Sequence, residues 1–397
     1  MKSSDNPILC IAVCLFLSLS CSSLSAQEFL RFLDSLEQKA IVNKDQEIEN
    51  YLASQQQVPI IAGDNVIFMA HASHNTPPKL VADFNGFLNT RYVKDQALGK
   101  MKSIPGSNWF YFIQRIPDDG IINYAYKYGE RTQSDPLNPN QRVIFGGLTS
   151  FVAMPGYQVA TETVMDHSIP KGEVRKMTLA SKALQHERTI HVYLPPSYKE
   201  LTAPLPTLYL HDGTFYVEEG RVPQILDYLI AHQMIQPVIA VFDDPVIRGK
   251  EYRGDEAFRK YIGDELVSYI DQTFRTSKEA SDRAIIGGSR GGLSALHLSH
   301  ALPHFANCGV FSPAILPMPV PDFAEILEDY AHSPQKIYIT GSTFDHIWYQ
   351  DAVELKKYFS RKSADSQYQE IHNGHNIAAW RSLLDDMLMH FFPASDN

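Results

Sequence analysis

Cysteine is scarce in this sequence, and long apolar runs and basic tracts are missing from it. Of the four cysteines, Cys10, Cys14 and Cys21 lie near the amino terminus and only Cys308 lies far from it. A chain that loses its leader would therefore have no internal disulfide, and 397 residues can form hydrophobic cores without one. The net charge of −10 excludes a protein that holds nucleic acid or an anionic membrane by bulk charge.

Residues 1–26 have the pattern of a secretory signal peptide. An apolar run over residues 8–17 follows the positive amino terminus, and small residues continue up to Ala26. The run is shorter than the roughly 20 residues that span a bilayer, and it has the length typical of a signal peptide. We therefore expect an exported protein, periplasmic or secreted, without a membrane span. Cys21 leaves a lipoprotein anchor as an alternative.

Changes of pattern divide the rest of the chain into three parts. Apolar residues at helical spacing predict one or two amphipathic helices in a lead segment, residues 27–57. Residues 58–160 contain short strand-like segments, among them "NVIFMAHA", "PKLVADFNG", "NWFYFIQRI" and "INYAYKYG", and predict a small β-sandwich. In residues 165–397 buried strands alternate with amphipathic helices, which predicts an α/β domain with a mostly parallel sheet covered on both faces.

The segment "RAIIGGSRGG", residues 283–292, carries the pattern Gly-x-Ser-x-Gly between a strand and a helix. In a nucleophile elbow the serine sits in strained backbone, and glycines two residues before and after it let the strand and helix pass closely. Ser289 is therefore the candidate nucleophile. A turn that only packs is the plain alternative, and a phosphate loop is disfavoured because no Lys-Ser or Lys-Thr follows.

A serine nucleophile needs a base, and that base needs an orienting acid, in the chain order Ser, Asp or Glu, His. Asp345 follows the strand-like "KIYIT", at the carboxyl end where such sheets place catalytic groups. His375 lies in a glycine-bearing loop before the last helix. His372 is the rival base. Asp351 and Glu354 are rival acids, but they lie on a helix-like run where a solvated face is the ordinary explanation.

Other residues of these chemical types have structural explanations. His297, His300 and His304 follow the nucleophile on its own helix and are expected to pack or face solvent. The segment "HERTIH" places Ile190 where a zinc motif needs its second histidine, so we expect no metal site. Cys308 is expected to be a buried small apolar residue rather than a reactive thiol.

The developing oxyanion also needs hydrogen-bond donors. The backbone N–H of Arg290, directly after the nucleophile, is one candidate. The other is the Thr214 N–H in "LYLHDGTF", where Gly213 permits a close approach. The Arg290 side chain is a candidate to face the cleft and bind an anionic ligand, with a surface position or a structural ion pair as the alternative.

Several of these segments resemble one family in the same order along the chain. "TLYLHDGTFY", "DDPVIRGKEYRGDEAFRKYIGDEL", "DRAIIGGSRGGLSALHLSHALPHFANCGVFSPA" and "NGHNIAAWR" resemble the esterase family of α/β-hydrolases. That family includes enterochelin (ferric siderophore) esterases, feruloyl and acetyl xylan esterases, and mycolyltransferases. "VADFNGF", "SDPLNP" and "MPGY" resemble the early-set immunoglobulin-like domain of enterochelin-esterase-like members.

The resemblance implies the same site residues as the motifs. By it the triad and the oxyanion-hole donors are Ser289, Asp345, His375, Thr214 and Arg290. Arg248 and Glu251 match the family's Arg-x-x-Glu element beside the site, which implies a supporting ion pair.

We therefore expect a serine carboxylic-ester hydrolase that works through an acyl-enzyme and needs no cofactor. The resemblance implies a small-molecule or oligosaccharide ester as substrate, with a ferric siderophore first. The alternatives are a feruloyl or acetyl xylan esterase, an acyltransferase of the same fold, and a binding protein on an inactive hydrolase scaffold.

Overall fold

The structure is a computed structural model that describes residues 26–38, 43–72, 76–144, 146–315, 318, 320–362 and 364–394. Nearly all of the predicted signal peptide, with its three cysteines, lies outside these described residues. Within the described part of the chain, no helix is both long and apolar enough to cross a membrane.

Two antiparallel sheets pack face to face in the first half of the chain. Their strands are β1 (Ile60–Ala62), β2 (Asn65–His71), β3 (Lys79–Ala82), β4 (Lys102–Ser103), β5 (Trp109–Arg115), β6 (Ile121–Tyr128), β7 (Arg131–Gln133), β8 (Gln141–Ile144) and β9 (Gly147–Ala153). One sheet has the order β1-β2-β5-β4; the other has the order β3-β6-β9-β8, with β7 paired to β6. Val66 and Phe68 of β2 share a core with Tyr124 and Tyr126 of β6. A small β-sandwich therefore precedes the α/β domain, as predicted.

The lead segment covers the outer face of the first sheet. It forms helices α1 (Ala26–Gln38) and α2 (Lys44–Ala53). Phe29 and Ile48 from these helices pack on Ile67 and Met69, which alternate with the sandwich-facing residues of β2. The helices thus bury the second face of β2.

The second half contains an eight-stranded sheet of order β10-β11-β13-β12-β14-β15-β16-β17. The strands are β10 (Glu173–Ser181), β11 (His186–Leu194), β12 (Thr207–His211), β13 (Ile239–Asp243), β14 (Arg283–Gly288), β15 (Asn307–Phe311), β16 (Lys336–Ser342) and β17 (Asp365–Ile371). The first two strands are antiparallel and the remaining six are mutually parallel. This sheet confirms the predicted α/β fold.

Helices cover both faces of this sheet. They are α3 (Gly213–Glu218), α4 (Val222–Ala231), α5 (Arg248–Glu251), α6 (Glu256–Lys260), α7 (Val267–Thr273), α8 (Arg290–Ala301), α9 (Val320–Glu328), α10 (Tyr349–Phe359), α11 (Ile377–Arg381) and α12 (Leu384–Phe391). A π-helical segment, Tyr261–Leu266, joins α6 to α7. Ile285 and Ile286 of β14 belong to different cores, one on each face. A strand buried on both faces reads as a continuous apolar run, which is why "RAIIGG" could be recognised.

A buried ion cluster lies where β11, β13 and α5 meet. The guanidinium of Arg188 donates to Asp243 and to Glu251, each at 2.7 Å, and all three side chains are at most 4% exposed. Tyr261 also donates to Asp243. Burial raises the pKa of Asp243 to about 6, although the Arg188 charge acts in the opposite direction.

We expect Arg188→Ala to destabilise the protein by about 3–5 kcal/mol, because it leaves two buried carboxylates without their cation. Urea unfolding at pH 7 measures the change. Arg175→Ala is the matched control, since Arg175 forms an exposed pair with Glu173, and it should cost less than about 1 kcal/mol. Equal effects from the two substitutions would contradict this account of the cluster.

Candidate active site

Ser289 occupies a strained turn between β14 and α8. Its backbone has φ 58° and ψ −122°, a conformation that costs energy for a residue with a side chain. A Cβ atom placed on Gly287 would lie 2.4 Å from the backbone carbonyl carbon of Gly291, so a side chain at 287 is sterically excluded. The Ser289 amide donates to the Phe311 carbonyl at 2.8 Å, which ties the turn to β15. The turn has the geometry of a nucleophile elbow.

His375 and Asp345 are hydrogen-bonded to each other. His375 Nδ1 lies 2.7 Å from Asp345 Oδ2, and the Asp345 side chain is 1% exposed. The other carboxylate oxygen, Oδ1, accepts from the backbone amides of Ile347 and Trp348. The His375 ring also lies between Trp348 and Trp380, with ring centroids 4.5 and 5.2 Å away. These contacts fix the orientation of the imidazole.

Ser289, Asp345 and His375 line one cavity of about 550 Å³, which has the size of a small-molecule site. The β-sandwich and the α/β domain both contribute to it. Its apolar and aromatic wall residues are Phe87, Tyr92, Ile144, Leu148, Ile347 and Trp348. Among the described residues that line it, two are carboxyl-bearing, Asp83 and Asp345, and none is a lysine or arginine.

The rival acids have other surroundings. Asp351 is 6% exposed and accepts a hydrogen bond from the Ile315 amide at 2.9 Å, so the expected solvated position for it is wrong. The side chain turns inward because it can satisfy a backbone donor of the chain that follows β15. Glu354 forms an exposed ion pair with Lys357, as expected of a solvated helix face.

The loop that carries His375 is anchored to the β-sandwich. The rival base His372 bonds through Nδ1 to Asp119 Oδ1 at 2.6 Å, and its carbonyl accepts from the Ile121 amide at 2.9 Å. Inside the loop, Asn373 Oδ1 accepts from the Gly374 amide at 2.8 Å. His372 therefore joins the two halves of the molecule.

The two predicted oxyanion donors differ in their surroundings. Helix α8 begins at Arg290, so the Arg290 N–H has no acceptor within its helix. The Thr214 N–H is engaged, because it donates to Asp244 Oδ1 at 2.9 Å, and the Thr214 hydroxyl donates to Oδ2. The role of the Thr214 N–H as an oxyanion donor therefore stays a prediction, and it requires that the oxyanion displace Asp244. Strands β12 and β13 are parallel neighbours, which brings the carboxylate after β13 onto the first turn of α3.

The expected ion pair between Arg248 and Glu251 is also wrong. Arg248 makes a bidentate contact with Asp212 through Nε and Nη2, both at 2.7 Å. Glu251 is buried and binds Arg188 and two backbone amides. Arg248 and Glu251 are the first and last residues of the short helix α5. The Arg248 side chain is partly exposed, whereas the Glu251 side chain is buried. Each therefore pairs with a residue distant in sequence.

The Arg290 side chain lies beside α5. A Cβ atom placed on Gly249 would be 3.9 Å from Arg290 Nη1, and Arg290 is not among the described residues that line the cavity. The candidate role of this guanidinium in binding an anion inside the cavity therefore lacks support from its position.

Three histidines and a cysteine expected to be structural lie near α8. His300 is 4% exposed and its Nδ1 contacts the Leu296 carbonyl; His297 packs against Phe323. Burial lowers the pKa values of His297, His300 and His304. Cys308 is fully buried in β15, and burial raises the pKa of its thiol to about 12. A cysteine in this state is inert as a nucleophile.

Asp83 is a site residue that the sequence reasoning missed. The expected strand "PKLVADFNG" ends at Ala82, and a 3₁₀ turn of residues 83–88 follows, with Gly86 and Phe87 in the left-handed region. The turn brings Asp83 to the cavity wall. The sequence signal for it was the cluster "DFNG", because Asp, Asn and Gly favour turns over strands.

The sheet order, the serine elbow and the loop positions of the aspartate and histidine define an α/β-hydrolase. The family model described as "Putative esterase" matches residues 181–391, more than half of the chain. The chain therefore belongs to this esterase family and is a carboxylic-ester hydrolase.

Two curated proteins are similar to parts of the chain. Protein YjcH of Bacillus subtilis is 24% identical over 235 residues, which are 55% of this chain and 96% of that protein. The endo-1,4-beta-xylanase/feruloyl esterase of Xylanibacter ruminicola is 30% identical over 139 residues, or 32% of this chain. The match spans only 19% of the length of the Xylanibacter protein.

Solved structures extend the similarity to the first half of the chain. The enterobactin esterase of Shigella flexneri has a TM-score of 0.66 at 17% identity and covers 82% of this chain and 92% of its own. The ferric enterobactin esterase of Salmonella typhimurium has the same TM-score at 18% identity, with 82% and 93% covered. At these identities the likeness is one of fold.

Proposed function

We propose that the hydrolase acts through Ser289 as nucleophile, His375 as general base and Asp345 as the acid that orients it. The observation that carries this proposal is the 2.7 Å contact between His375 and Asp345, which line the same cavity as Ser289. These are the three parts that ester hydrolysis by a serine requires.

In the proposed reaction, His375 Nε2 takes the Ser289 proton as the hydroxyl attacks the ester carbonyl. Asp345 holds the proton on Nδ1 and stabilises the imidazolium that forms. The Arg290 N–H is one donor to the oxyanion. The Thr214 N–H becomes the second once the oxyanion replaces the Asp244 carboxylate as its acceptor. His375 gives the Ser289 proton to the leaving alcohol, which departs and leaves an acyl-enzyme. The neutral His375 then takes a proton from the water that hydrolyses the acyl-enzyme.

We further propose that the substrate is an uncharged ester with an aromatic group. Phe87, Tyr92 and Trp348 give the cavity aromatic walls, and such walls favour flat apolar groups. The Asp83 and Asp345 carboxyl groups would repel an anion bound beside them. This chemistry favours the feruloyl type of ester among the expected substrates, and the feruloyl esterase relative supports it.

A ferric siderophore is the second candidate substrate. The observation that favours it is the fold likeness to enterobactin esterases, which extends over 82% of the chain and so reaches into the β-sandwich. The negative charge of a ferric catecholate fits less well with a cavity that offers two carboxyl groups and, within the described lining, neither lysine nor arginine.

A substrate panel with an active-site probe tests the proposal. We expect a fluorophosphonate to label the protein at Ser289 alone and to abolish hydrolysis. We also expect kcat/KM for methyl esters of cinnamic acids to exceed that for a ferric catecholate trilactone or acetylated xylan. Labelling elsewhere would contradict the assignment of Ser289, and a preference for the ferric complex would reverse the order of substrates. Transfer of the acyl group to an added alcohol, in place of hydrolysis, would favour the acyltransferase alternative.

The amino-terminal segment supports export of this hydrolase. We propose that the signal peptide of residues 1–26 is removed and that the enzyme acts in the periplasm or outside the cell. Amino-terminal sequencing of the mature protein tests this proposal.

A further inference from the structure

Asp83 is a buried carboxyl group whose two oxygens have different surroundings. Oδ2 accepts from the backbone amide of Asn123 at 2.6 Å and from its side-chain Nδ2 at 2.9 Å. Among the described residues, Oδ1 accepts no hydrogen bond, although the side chain is only 5% exposed. Asp83 is one of the residues that line the cavity.

Asp83 lies directly beside the loop that carries His375. A Cβ atom placed on Gly374 would come within 2.1 Å of Asp83 Oδ1, so glycine is required there for the carboxyl group to fit. The charge of Asp345 acts on Asp83 through space. The acceptor is therefore close to the reacting groups and not at the outer rim of the cavity.

The turn that carries Asp83 is held rigidly. Asn85 Oδ1 accepts from the Ala82 amide, and Asn85 Nδ2 donates to the Leu80 carbonyl, both at 2.9 Å. Arg142 donates to Asn123, which in turn donates to Asp83. A preorganised acceptor of this kind is what a specific binding site requires.

We propose that Asp83 Oδ1 is a specificity determinant that accepts a hydrogen bond from a hydroxyl group on the aromatic ring of the substrate. The proposal rests on the esterase function proposed above and narrows its substrates to hydroxylated aromatic esters. The carboxyl group is supplied by the β-sandwich, so the first half of the chain selects the substrate that the second half hydrolyses. A buried acceptor left unpaired by the wrong substrate discriminates strongly against that substrate.

The protonation state of Asp83 agrees with this role. Burial raises its pKa to about 6, the Asn123 bonds and the Arg142 charge lower it, and the Asp345 charge raises it again. At pH 7 and above the group is therefore mainly ionised and accepts hydrogen bonds without donating one.

Asp83→Asn tests the proposal because it reverses the polarity of the cavity wall. Asn123 presents two donors, so the amide oxygen of an asparagine at 83 takes the place of Oδ2 and its NH₂ group takes the place of Oδ1. Ortho, meta and para isomers of methyl hydroxycinnamate are each compared with their methoxy counterparts. We expect wild-type protein to prefer at least one hydroxyl ester. The measured ratio is kcat/KM for the preferred hydroxyl ester divided by kcat/KM for its methoxy counterpart. We expect the variant to lower this ratio by about 10- to 100-fold, which corresponds to the loss of a hydrogen bond to a charged group.

Asp135→Asn is the matched control. Asp135 is a fully buried carboxyl group of the same β-sandwich that accepts from Tyr124, and it is not among the described residues that line the cavity. This control removes a buried carboxylate from the β-sandwich and so reproduces any general loss of stability. It should leave the ratio of kcat/KM between the hydroxyl and methoxy esters unchanged. A shift of the ratio in the control as large as that in Asp83→Asn would overturn the proposal.

The outcomes separate this proposal from the proposed function. If wild-type protein hydrolyses both members of a pair but the ratio is the same in Asp83→Asn, only the role of Asp83 is overturned. If wild-type protein prefers no hydroxyl ester, the role of Asp83 is also overturned, whether or not the variant folds. If wild-type protein hydrolyses none of the esters, the proposed substrate class fails as well.

Discussion

Replacing Ser289 with alanine is expected to lower kcat for ester hydrolysis by about 10⁴- to 10⁶-fold. The substitution removes the only atom that forms the acyl-enzyme bond in the proposed mechanism. It leaves the backbone contacts of the turn in place, including the hydrogen bond from the backbone amide of residue 289 to the Phe311 carbonyl. Steady-state kinetics with the best aromatic ester, together with thermal unfolding of the same preparation, measure the effect.

Ser312→Ala is the matched control for this experiment. Ser312 follows β15, has a positive φ of 42° like Ser289, and has a buried hydroxyl without a hydrogen-bond partner among the described residues. Its removal should change kcat by less than about threefold, since no step of the proposed chemistry uses it. Hydrolysis by Ser289→Ala within tenfold of the wild-type rate would refute the assignment of the nucleophile.

Replacing Asp345 with asparagine is expected to lower kcat/KM by about 10³- to 10⁴-fold. The amides of Ile347 and Trp348 donate to one side-chain oxygen and hold it in place. The NH₂ group of an asparagine would therefore face His375 and donate to Nδ1. The imidazole would then carry its proton on Nε2, where it cannot accept the proton of Ser289.

The pH profile distinguishes this loss from simple destabilisation. A base held in the wrong tautomer should recover activity as pH rises, when hydroxide substitutes for the general base, whereas an unfolded fraction would not depend on pH in this way. Glu354→Gln is the control, because this exposed rival carboxylate pairs with Lys357 and its substitution should leave the profile unchanged. A normal profile in Asp345→Asn, with altered kinetics in Glu354→Gln, would reassign the acid.

The parts of the site that could be predicted from the sequence are those set by local chemistry. The elbow was readable because sterics require glycine at fixed distances from the serine, and the strand before it is apolar on both faces. Asp345 and His375 could be placed on loops because strand patterns precede them. The structure brings both to one cavity with Ser289.

The parts of the site that could not be predicted are the hydrogen bonds and ion pairs between residues that are far apart in the sequence. Nothing near Arg248 in sequence indicates Asp212 as its partner, and nothing near Thr214 indicates the carboxylate of Asp244. Both partners follow from the order of strands in the sheet, which a single sequence does not specify. Asp83 was missed for a related reason, because its importance comes from its contact with Gly374, a residue distant in sequence.

The bonds from Asp119 and Ile121 to His372 affect how far this enzyme can be shortened. The esterase family model matches residues 181–391, so a chain shortened to that region is a natural template for a minimal biocatalyst. Trimming this chain to that length would remove the partners that hold the histidine's loop, and it would open one wall of the substrate chamber to water. A minimal version would need new supports for that loop before its catalytic groups could keep their spacing.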